Sequence, residues 1–200
     1  MKFRKNQTNE SRLNPGYFDS AELKKMGFRQ IGSNVRIAKN ITIIGQENIS
    51  IGSDVRIDGY TVVSAGRGEI KIGNFVHIAN GCHLVCAGGV ELQDFTGLAH
   101  GVKIYSASDD YTGMGLTNPT VPQELTAINF GKVILQNHVI VGANSVVLPG
   151  VTLGEGSAVG ALTLVAQDLP PWGIYSGAPA RRIKERSKEI LNLEKEIHFR

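Results

Sequence analysis

Between residues 135 and 165 an aliphatic residue returns at every sixth position, in LQNHVIVGANSVVLPGVTLGEGSAVGALTLV. A small or β-branched residue follows four places after each of the first five. This six-residue period matches neither the two-residue alternation of a strand nor the 3.6-residue period of a helix. The aliphatics are Leu135, Val141, Val147, Leu153, Val159 and Val165, and the smaller residues are Val139, Ser145, Val151, Ser157 and Thr163. The pattern therefore predicts short strands separated by corners.

A weaker form of the same pattern begins at Gln30. One repeat forms a single short strand that cannot bury its apolar side chain alone, so successive turns must stack to form a shared core. Glycines suit the tight corners, since they lack a Cβ. The aliphatics that we expect to point inward in this half are Ile37, Ile51, Ile57, Val63, Ile72, Ile78, Leu84, Leu92, Leu98 and Ile104.

The repeat resembles the hexapeptide-repeat acyltransferases, whose chains wind as a left-handed parallel β-helix with three hexapeptides in each triangular coil. The resemblance implies an all-β fold of this kind, a solenoid over residues 30–170. Left-handed winding departs from the usual right-handed crossover of parallel strands, so the handedness rests on the resemblance alone.

The two ends of the chain are predicted to close this solenoid within one structural domain. Residues 1–29 form an irregular arm and a capping helix, with Asp19 as N-cap and Glu22 completing a capping box. Residues 171–200 form a C-terminal segment after Pro170-Pro171, with an amphipathic helix from about Pro179. The helix would carry its apolar stripe on Ile183, Ile190, Leu193 and Ile197.

Residues 107–131 lack the six-residue period and contain Pro119 and Pro122, which predicts an external loop. A long insertion in a regular solenoid is typical of a functional element. We expect the loop to be packed through the apolar side chains of Tyr111, Met114, Leu116, Leu125 and Phe130.

Composition narrows the classes of function. The formal net charge of +3 does not favour a nucleic-acid partner. The polar start MKFRKNQTNE has no apolar signal region, and no apolar run approaches the ~20 residues that span a bilayer. The two cysteines, Cys82 and Cys86, are too few for a disulfide framework, and Cys82 is expected to be a reduced, buried thiol. We therefore predict a cytoplasmic protein without a membrane span.

The resemblance is strongest near the C-terminus, where IVGANSVVLPGVTLGEGSAVGALTLV precedes WGIYSGAPARRIK. These segments resemble the acetyl-CoA site of the maltose and galactoside acetyltransferases, and they imply acetyl-CoA as cosubstrate with no metal. Small residues let the pantetheine arm approach the backbone, and a guanidinium suits the phosphates. Many relatives have Thr-Lys where this chain has Ala166-Gln167, so a cation is missing there. The implied cofactor residues are Ala143, Gly160, Ala161, Gly177, Arg181 and Lys184.

The catalytic base is harder to assign. In the maltose-type enzymes a His ends an IYTATHP-like segment, whereas this chain reads IYSASDD and places Asp109 there. Transfer to a hydroxyl needs a base whose pKa lies near the working pH, and an ordinary Asp, with a pKa near ~3.9, is a poor one. We predict His77 as base, oriented by Asp109 or Asp110 from the loop. His83 and His100 are the alternatives, and we discount His138, expected to point outward, and His198.

The acceptor residues follow from the same comparison. The segment NFVHIAN resembles NFYAN of the galactoside-type enzymes and implies that Asn80 binds the acceptor. Tyr105 and Tyr111, at the start of the loop, are further candidates. The family forms trimers with active sites between subunits, so the resemblance implies a homotrimer.

We therefore predict an acetyl-CoA-dependent O-acetyltransferase acting on a sugar of a surface-polysaccharide precursor. One alternative is N-acetylation of a nucleotide-linked amino sugar, since an amine needs a weaker base. Two others come from different classes. A γ-type zinc carbonic anhydrase would use His77, His83 and His100, although their spacing does not match H-x4-H. A non-catalytic scaffold would explain Asp109 in place of the histidine.

Overall fold

The protein is described here by a computed structural model of residues 14–197. The chain winds as a parallel β-solenoid of about seven turns, which confirms the all-β, parallel β-helix prediction. Every full turn contributes one short strand to each of three sheets, which we call sheets B, A and C in the order in which the chain visits them. Because the chain returns to the same sheet once per turn, equivalent strands stack in parallel.

The strands are short, since each spans one side of the triangle. Sheet B contains β2 (Gln30–Ile31), β5 (Ile49–Ile51), β8 (Ile70–Ile72), β11 (Val90–Leu92), β16 (Val133–Leu135) and β19 (Thr152–Leu153). Sheet C contains β4 (Thr42–Ile44), β7 (Val62–Ser64), β10 (His83–Val85), β13 (Lys103–Tyr105), β18 (Val146–Val147) and β21 (Leu164–Val165). Sheet A contains β1 (Tyr17–Phe18), β3 (Arg36–Ala38), β6 (Arg56–Ile57), β9 (His77–Ile78), β12 (Gly97–Leu98), β17 (Ile140–Val141), β20 (Ala158–Val159), β22 (Gly173–Ser176) and β23 (Arg181–Glu185).

The register of the sheets follows from the hexapeptide period. Ile140 pairs with Ala158 and Val141 with Val159, three hexapeptides further along the chain. Val141 and Val159 both point inward, whereas Ile140 and Ala158 both point outward, because side chains alternate along each strand. The outward row of sheet A therefore aligns Arg56, His77 and Gly97.

The core is a column of aliphatic side chains that runs the length of the solenoid. All the aliphatics that the sequence places inward between Leu135 and Val165 are buried, and so are the small residues four places after them. The earlier repeats bury Ile37, Ile57, Ile78 and Leu98 in the same column. Cys82 and Cys86 are free and buried, as expected.

The corner between sheets B and A carries a stack of rings that the sequence does not reveal. Phe75 lies parallel to Phe95 with ring centroids 4.9 Å apart, and Phe95 lies parallel to His138 at 4.9 Å. Each of the three has a positive φ, which turns the chain at this corner. The expectation that His138 points outward is therefore wrong, because ring stacking between turns buries it at 8% exposure.

The N-terminal end confirms the predicted cap in a shorter form. Helix α1 (Ser20–Leu23) begins at Asp19, whose carboxylate accepts from the backbone of Ala21 and Glu22, and Glu22 returns a contact to the Asp19 backbone. Leu23 is buried against the first turn. The arm is not wholly irregular, since Tyr17–Phe18 pairs antiparallel with β3. Residues 1–13 of the predicted arm lie outside the described residues.

The C-terminal end differs from prediction. The helix expected from about Pro179 is replaced by strand β23, which pairs antiparallel with β22. The last parallel strand leaves one edge of sheet A unpaired, and a returning strand satisfies those backbone groups. Helix α2 (Ile190–Glu194) is short and lies beyond it. The predicted apolar stripe is therefore split, with Ile183 on the strand and Ile190 and Leu193 on the helix.

The loop at residues 107–131 leaves the solenoid between β13 and β16. It contains a two-stranded antiparallel ribbon, β14 (Ala107–Ser108) and β15 (Asn129–Phe130), and a 3₁₀ turn at Gln123–Leu125. Within the described part of the chain, no helix has the length and apolar character required to cross a bilayer.

Candidate functional site

The loop and the outer face of sheet C enclose a cleft of about 680 Å³. One wall is formed by the loop and its approach, including Tyr105, Asp109 and Tyr111. The opposite wall belongs to later turns and includes Leu148 and Ala166. We call this space the loop cleft. It brings together three predicted site residues that the sequence places near the loop.

The two neighbouring carboxylates of the loop have different tasks. Asp110 folds the loop on itself, because its carboxylate accepts from Thr112 at 2.9 and 2.7 Å and from the backbone N–H of Met114 at 2.7 Å. Hydrogen bonds from the Thr112 side chain and from these backbone groups lower the pKa of Asp110 to about 2. Asp109 lines the cleft and accepts a single weak contact, from Asn118 N at 3.4 Å.

The expectation that apolar side chains anchor the loop against its own chain is wrong. Tyr111 is 93% exposed and Met114 is 86% exposed, while the other three are about half exposed. Polar contacts hold the loop instead, centred on the Asp110 carboxylate and on the Asn118 side chain, which accepts from Thr120. The apolar side chains of the loop are therefore left facing outward.

A second polar group lies on sheet A, next to the corner with sheet C. The Nε2 atom of His77 lies 2.9 Å from Oδ2 of Asp58, and Oδ1 of Asp58 accepts from the Tyr17 hydroxyl and from Arg56 Nε, each at 2.6 Å. We call these four residues the corner cluster. The Tyr17 ring also lies against the Arg56 guanidinium, 5.4 Å from its centroid.

Asp58 is held as a carboxylate by its neighbours. Partial burial acts to raise its pKa, but hydrogen bonds from Tyr17, His77 and Arg56 outweigh this and lower the pKa below the ordinary 3.8. Asp58 was not singled out in the sequence. The coil-to-coil register was the available signal, because Ile57 pairs with Ile78 and so Asp58 must lie beside the strand that bears His77.

The predicted pairing of His77 with Asp109 or Asp110 is not formed within the described chain. Asp58 takes that place, since it follows a strand that pairs directly with β9, whereas the loop leaves from sheet C. The loop cleft and the corner cluster lie in different turns. The cleft lines sheet C from β13 onwards, whereas the cluster lies on sheet A up to β9, one turn earlier.

The remaining predicted acceptor and base residues are exposed. Asn80 lines a polar cavity beside the corner cluster. His83 lies on the outer face of sheet C and His100 lies at the corner between sheets A and C. His77 and His83 therefore face outward from different sheets, and the described residues contain no group of His, Cys, Asp or Glu arranged to hold a metal ion. His198 lies outside the described residues.

The predicted cofactor residues Ala143, Gly160 and Ala161 stack on consecutive turns at the corner between sheets A and C. A Cβ added to Gly142 would lie 2.5 Å from Ala161 N, so this corner packs backbone on backbone. Ala143 is half-buried and Ala161 is exposed. In the described part of the chain, neither backbone N–H donates a hydrogen bond. These corners thus offer donors to a polar chain that lies along the groove.

Three further predicted cofactor residues lie where the chain leaves the solenoid. Gly177 has φ +103°, which favours glycine. Arg181 and Lys184 are exposed on β23, and neither forms an ion pair within the described residues, whereas Arg182 is engaged with Glu185 at 2.7 Å. Two cations are therefore available near the last turn, although on a strand and not on the predicted helix.

Comparison with known proteins gives two close relatives. No family model matches the chain. The dTDP-4-amino-4,6-dideoxy-D-glucose acyltransferase of Escherichia coli is 44% identical over 178 residues, which are 89% of this chain and 93% of the relative. The crystal structure of AntD, an N-acyltransferase from Bacillus cereus in complex with dTDP and 3-hydroxybutyryl-CoA, is 41% identical with a TM-score of 0.87. It covers 92% of this chain and 96% of its own.

A more distant relative is named as an O-acetyl transferase. The putative lipopolysaccharide biosynthesis O-acetyl transferase WbbJ of Escherichia coli K12 is 28% identical over 161 residues, with 74% of each chain covered. The two amino-sugar relatives are thus more similar to the chain than this O-acetyl transferase.

Proposed function

Because the chain belongs to the hexapeptide-repeat acyltransferases, we propose that it transfers an acyl group from a CoA thioester to the amine of a nucleotide-linked amino sugar. The observation that carries this proposal is the 44% identity to a dTDP-amino-sugar acyltransferase across 93% of that protein. The family and the acyltransferase class predicted from the sequence are thereby confirmed. The relatives favour the alternative that the sequence left open, an amino-sugar acceptor, over the O-acetylated sugar of the main prediction.

The chemistry of the loop cleft supports an amine acceptor. A hydroxyl must lose its proton to a good base during attack, whereas an unprotonated amine attacks first and becomes acidic as the C–N bond forms. A carboxylate is sufficient to take that proton. We assign this role to Asp109, which faces the cleft, and not to Asp110, whose oxygens are occupied by the loop backbone.

The residues that hold the cosubstrate would be those of the last turns. The thioester supplies the acyl group, and its C–S bond breaks as the amide C–N bond forms. The unused N–H groups of Ala143 and Ala161 suit the amides of a pantetheine arm, and Arg181 and Lys184 suit phosphates. The proton that leaves the amine goes to Asp109 and from there to solvent or to the departing thiolate.

The outer face of sheet C supports a homotrimer. A solvated sheet face normally carries polar side chains, but here six outward positions are apolar, beside polar ones such as His83 and Lys103. At the adjoining corner Tyr60 and Leu162 are each 74% exposed. The outward apolar residues of sheet C are Ile44, Val62, Val85, Val146, Leu148 and Leu164. Contact with a second copy would bury these apolar side chains.

A paired acceptor assay tests the proposed function. The protein is incubated with acetyl-CoA and either dTDP-4-amino-4,6-dideoxyglucose or the same nucleotide sugar with a hydroxyl at that carbon, and products are identified by mass spectrometry. We expect the amine to be acylated with kcat/KM at least about 10²-fold above the hydroxyl. Equal turnover, or a preference for the hydroxyl, would restore the O-acetyltransferase hypothesis.

A further inference from the structure

We infer that the polar cavity beside the corner cluster is an anion subsite that binds the diphosphate of the acceptor. The inference rests on the proposed function for the identity of that diphosphate. The cavity has a volume of about 270 Å³ and lies where the first three turns pass from sheet A to sheet C. Its lining includes Tyr17, Asn40, Arg56, Asp58, Gly59 and Asn80.

The charge of this region favours an anion. Arg56 lines the cavity, and Arg36 aligns with it one strand away, with the Tyr17 ring in contact with both guanidinium groups at 5.4 and 5.8 Å. Among the described residues, the one negative charge in the lining is Asp58, whose two oxygens are already bonded to Tyr17, Arg56 and His77. Its carboxylate is therefore turned towards its own donors. The charges of Arg36, Arg56 and Asp58 sum to +1.

Unused amide donors complete the cavity. The side chains of Asn40 and Asn80 form no hydrogen bond with any described residue, although both line the space. Gly59 lies between their turns, and a Cβ at this position would collide with the Asn40 amide. Glycine thus leaves the Asn40 side chain in place beside Arg56. One guanidinium and two amides around a small polar space suit phosphate oxygens, which accept from several donors at once.

Position separates this cavity from the predicted CoA groove, which also binds phosphates. Asn40 follows β3 and Ala161 follows β20, and five strand spacings of sheet A lie between them, or about 24 Å. The cavity therefore serves a different anion from the one held by Arg181 and Lys184. The acceptor of the proposed reaction supplies such an anion, because its sugar is linked to a nucleoside diphosphate.

Calorimetric titration of the full chain with dTDP, and separately with CoA, tests this assignment. The variants are Arg56→Gln, which removes the charge, and Asn40→Ala, which leaves every contact of Asp58 in place. The control is Arg67→Gln, an exposed arginine outside the cavity. Thermal unfolding of each variant shows whether it is folded. We expect Kd for dTDP to rise roughly tenfold or more in both variants, with Kd for CoA and the control unchanged.

The remaining outcomes overturn either the subsite or the proposed function, and each hypothesis fails with a different result. Wild-type affinity for dTDP in both folded variants would overturn the subsite, and so would an equal loss of dTDP and CoA. If the amino sugar is acylated by Arg56→Gln with an unchanged KM, the subsite is wrong while the proposed function stands. If dTDP binding needs both residues but no amino sugar is acylated, the subsite stands and the proposed function fails.

Discussion

The Tyr17 hydroxyl donates a 2.6 Å hydrogen bond to Asp58, which joins the start of the described chain to the second turn of the solenoid. The carboxylate of Asp58 also holds Arg56 and His77, so one half-buried group orients three side chains at the edge of a polar cavity. The geometry of this cluster therefore depends on the ionisation of Asp58. That dependence gives the first prediction.

Replacing Asp58 by Asn should lower the free energy of unfolding by about 1–3 kcal/mol at neutral pH, because charged hydrogen bonds are lost. The folded-state pKa of Asp58 lies below its ordinary 3.8, so its contribution is present above that pH and disappears as the pH falls through the folded-state value. Urea unfolding of both proteins at pH 7 and pH 3 measures this. A difference that is the same at both pH values would contradict the assignment.

Asp109→Asn should reduce kcat for the amino sugar by roughly 10²–10⁴-fold while the protein remains folded, because the cleft loses its proton acceptor. Glu124→Gln, in the same loop but outside the cleft, is the matched control and should leave kcat unchanged. Steady-state kinetics with acetyl-CoA distinguishes them. Near-normal turnover of Asp109→Asn would return the role of base to His77, His83 or His100.

Asp110→Asn should act on the loop and not on the proton transfer. The pKa of Asp110 is lowered to about 2, so the group is a carboxylate throughout the working range and its oxygens accept from Thr112, Met114 and Gly115. An amide offers one acceptor oxygen in place of two. We expect faster hydrogen exchange over residues 110–116 than in the wild type, and unaltered exchange in the loop would contradict this role.

Arg186→Gln should release the C-terminal segment from the solenoid. The Arg186 guanidinium donates to the carbonyls of His138 at 2.7 Å and of Gly156 at 3.0 Å, and Lys188 lies over the Trp172 ring at 5.4 Å. Loss of these charged hydrogen bonds should cost about 1.5–3 kcal/mol. Trp172 is the single tryptophan of the chain, so its emission should shift to longer wavelength.

The control for that experiment is Arg182→Gln. Among the described residues, the Arg182 guanidinium forms hydrogen bonds only to the exposed Glu185, so its loss should leave the Trp172 emission and the stability nearly unchanged. Equal effects of the two substitutions would show that Arg186 does not hold the segment.

The two thiols should be inert in the folded protein. Burial raises the pKa of Cys82 to about 11 and that of Cys86 to about 12, and both side chains are buried in the core. Since the thiolate is the reactive form, a water-soluble disulfide reagent at pH 8 should label neither until denaturant is added. Rapid labelling of the native protein would place a thiol at the surface.

The six-residue pattern predicts which strand residues are buried, but not which corner residues are. Leu135, Val141 and Ser145 were assigned inward positions from their spacing, and all are buried. His138 was assigned outward from the same spacing, and it is buried by stacking on Phe95. A corner residue has no fixed inside or outside within the period, so the rings that it meets on neighbouring turns decide its burial.

In the candidate site too, the sequence predicts some of the residues and misses others. The sequence singled out Tyr105, Asp109 and Tyr111, which the fold gathers in one cleft. It did not single out Leu148, which forms the opposite wall, because the wall belongs to a later turn and carries no chemical signature. It also paired His77 with the loop, whereas the carboxylate beside His77 is Asp58.

The sequence by itself determined the solenoid, because a six-residue period can bury its apolar residues only by stacking parallel turns. It also indicated the acyltransferase family through the run that ends in Gly177 to Arg181. Only the tertiary structure decided which polar side chains meet, and that the segment after Pro179 returns as strand β23. The reason is physical: an apolar period specifies what leaves water, whereas a hydrogen bond depends on which turns become neighbours and on which sheet edge remains unpaired.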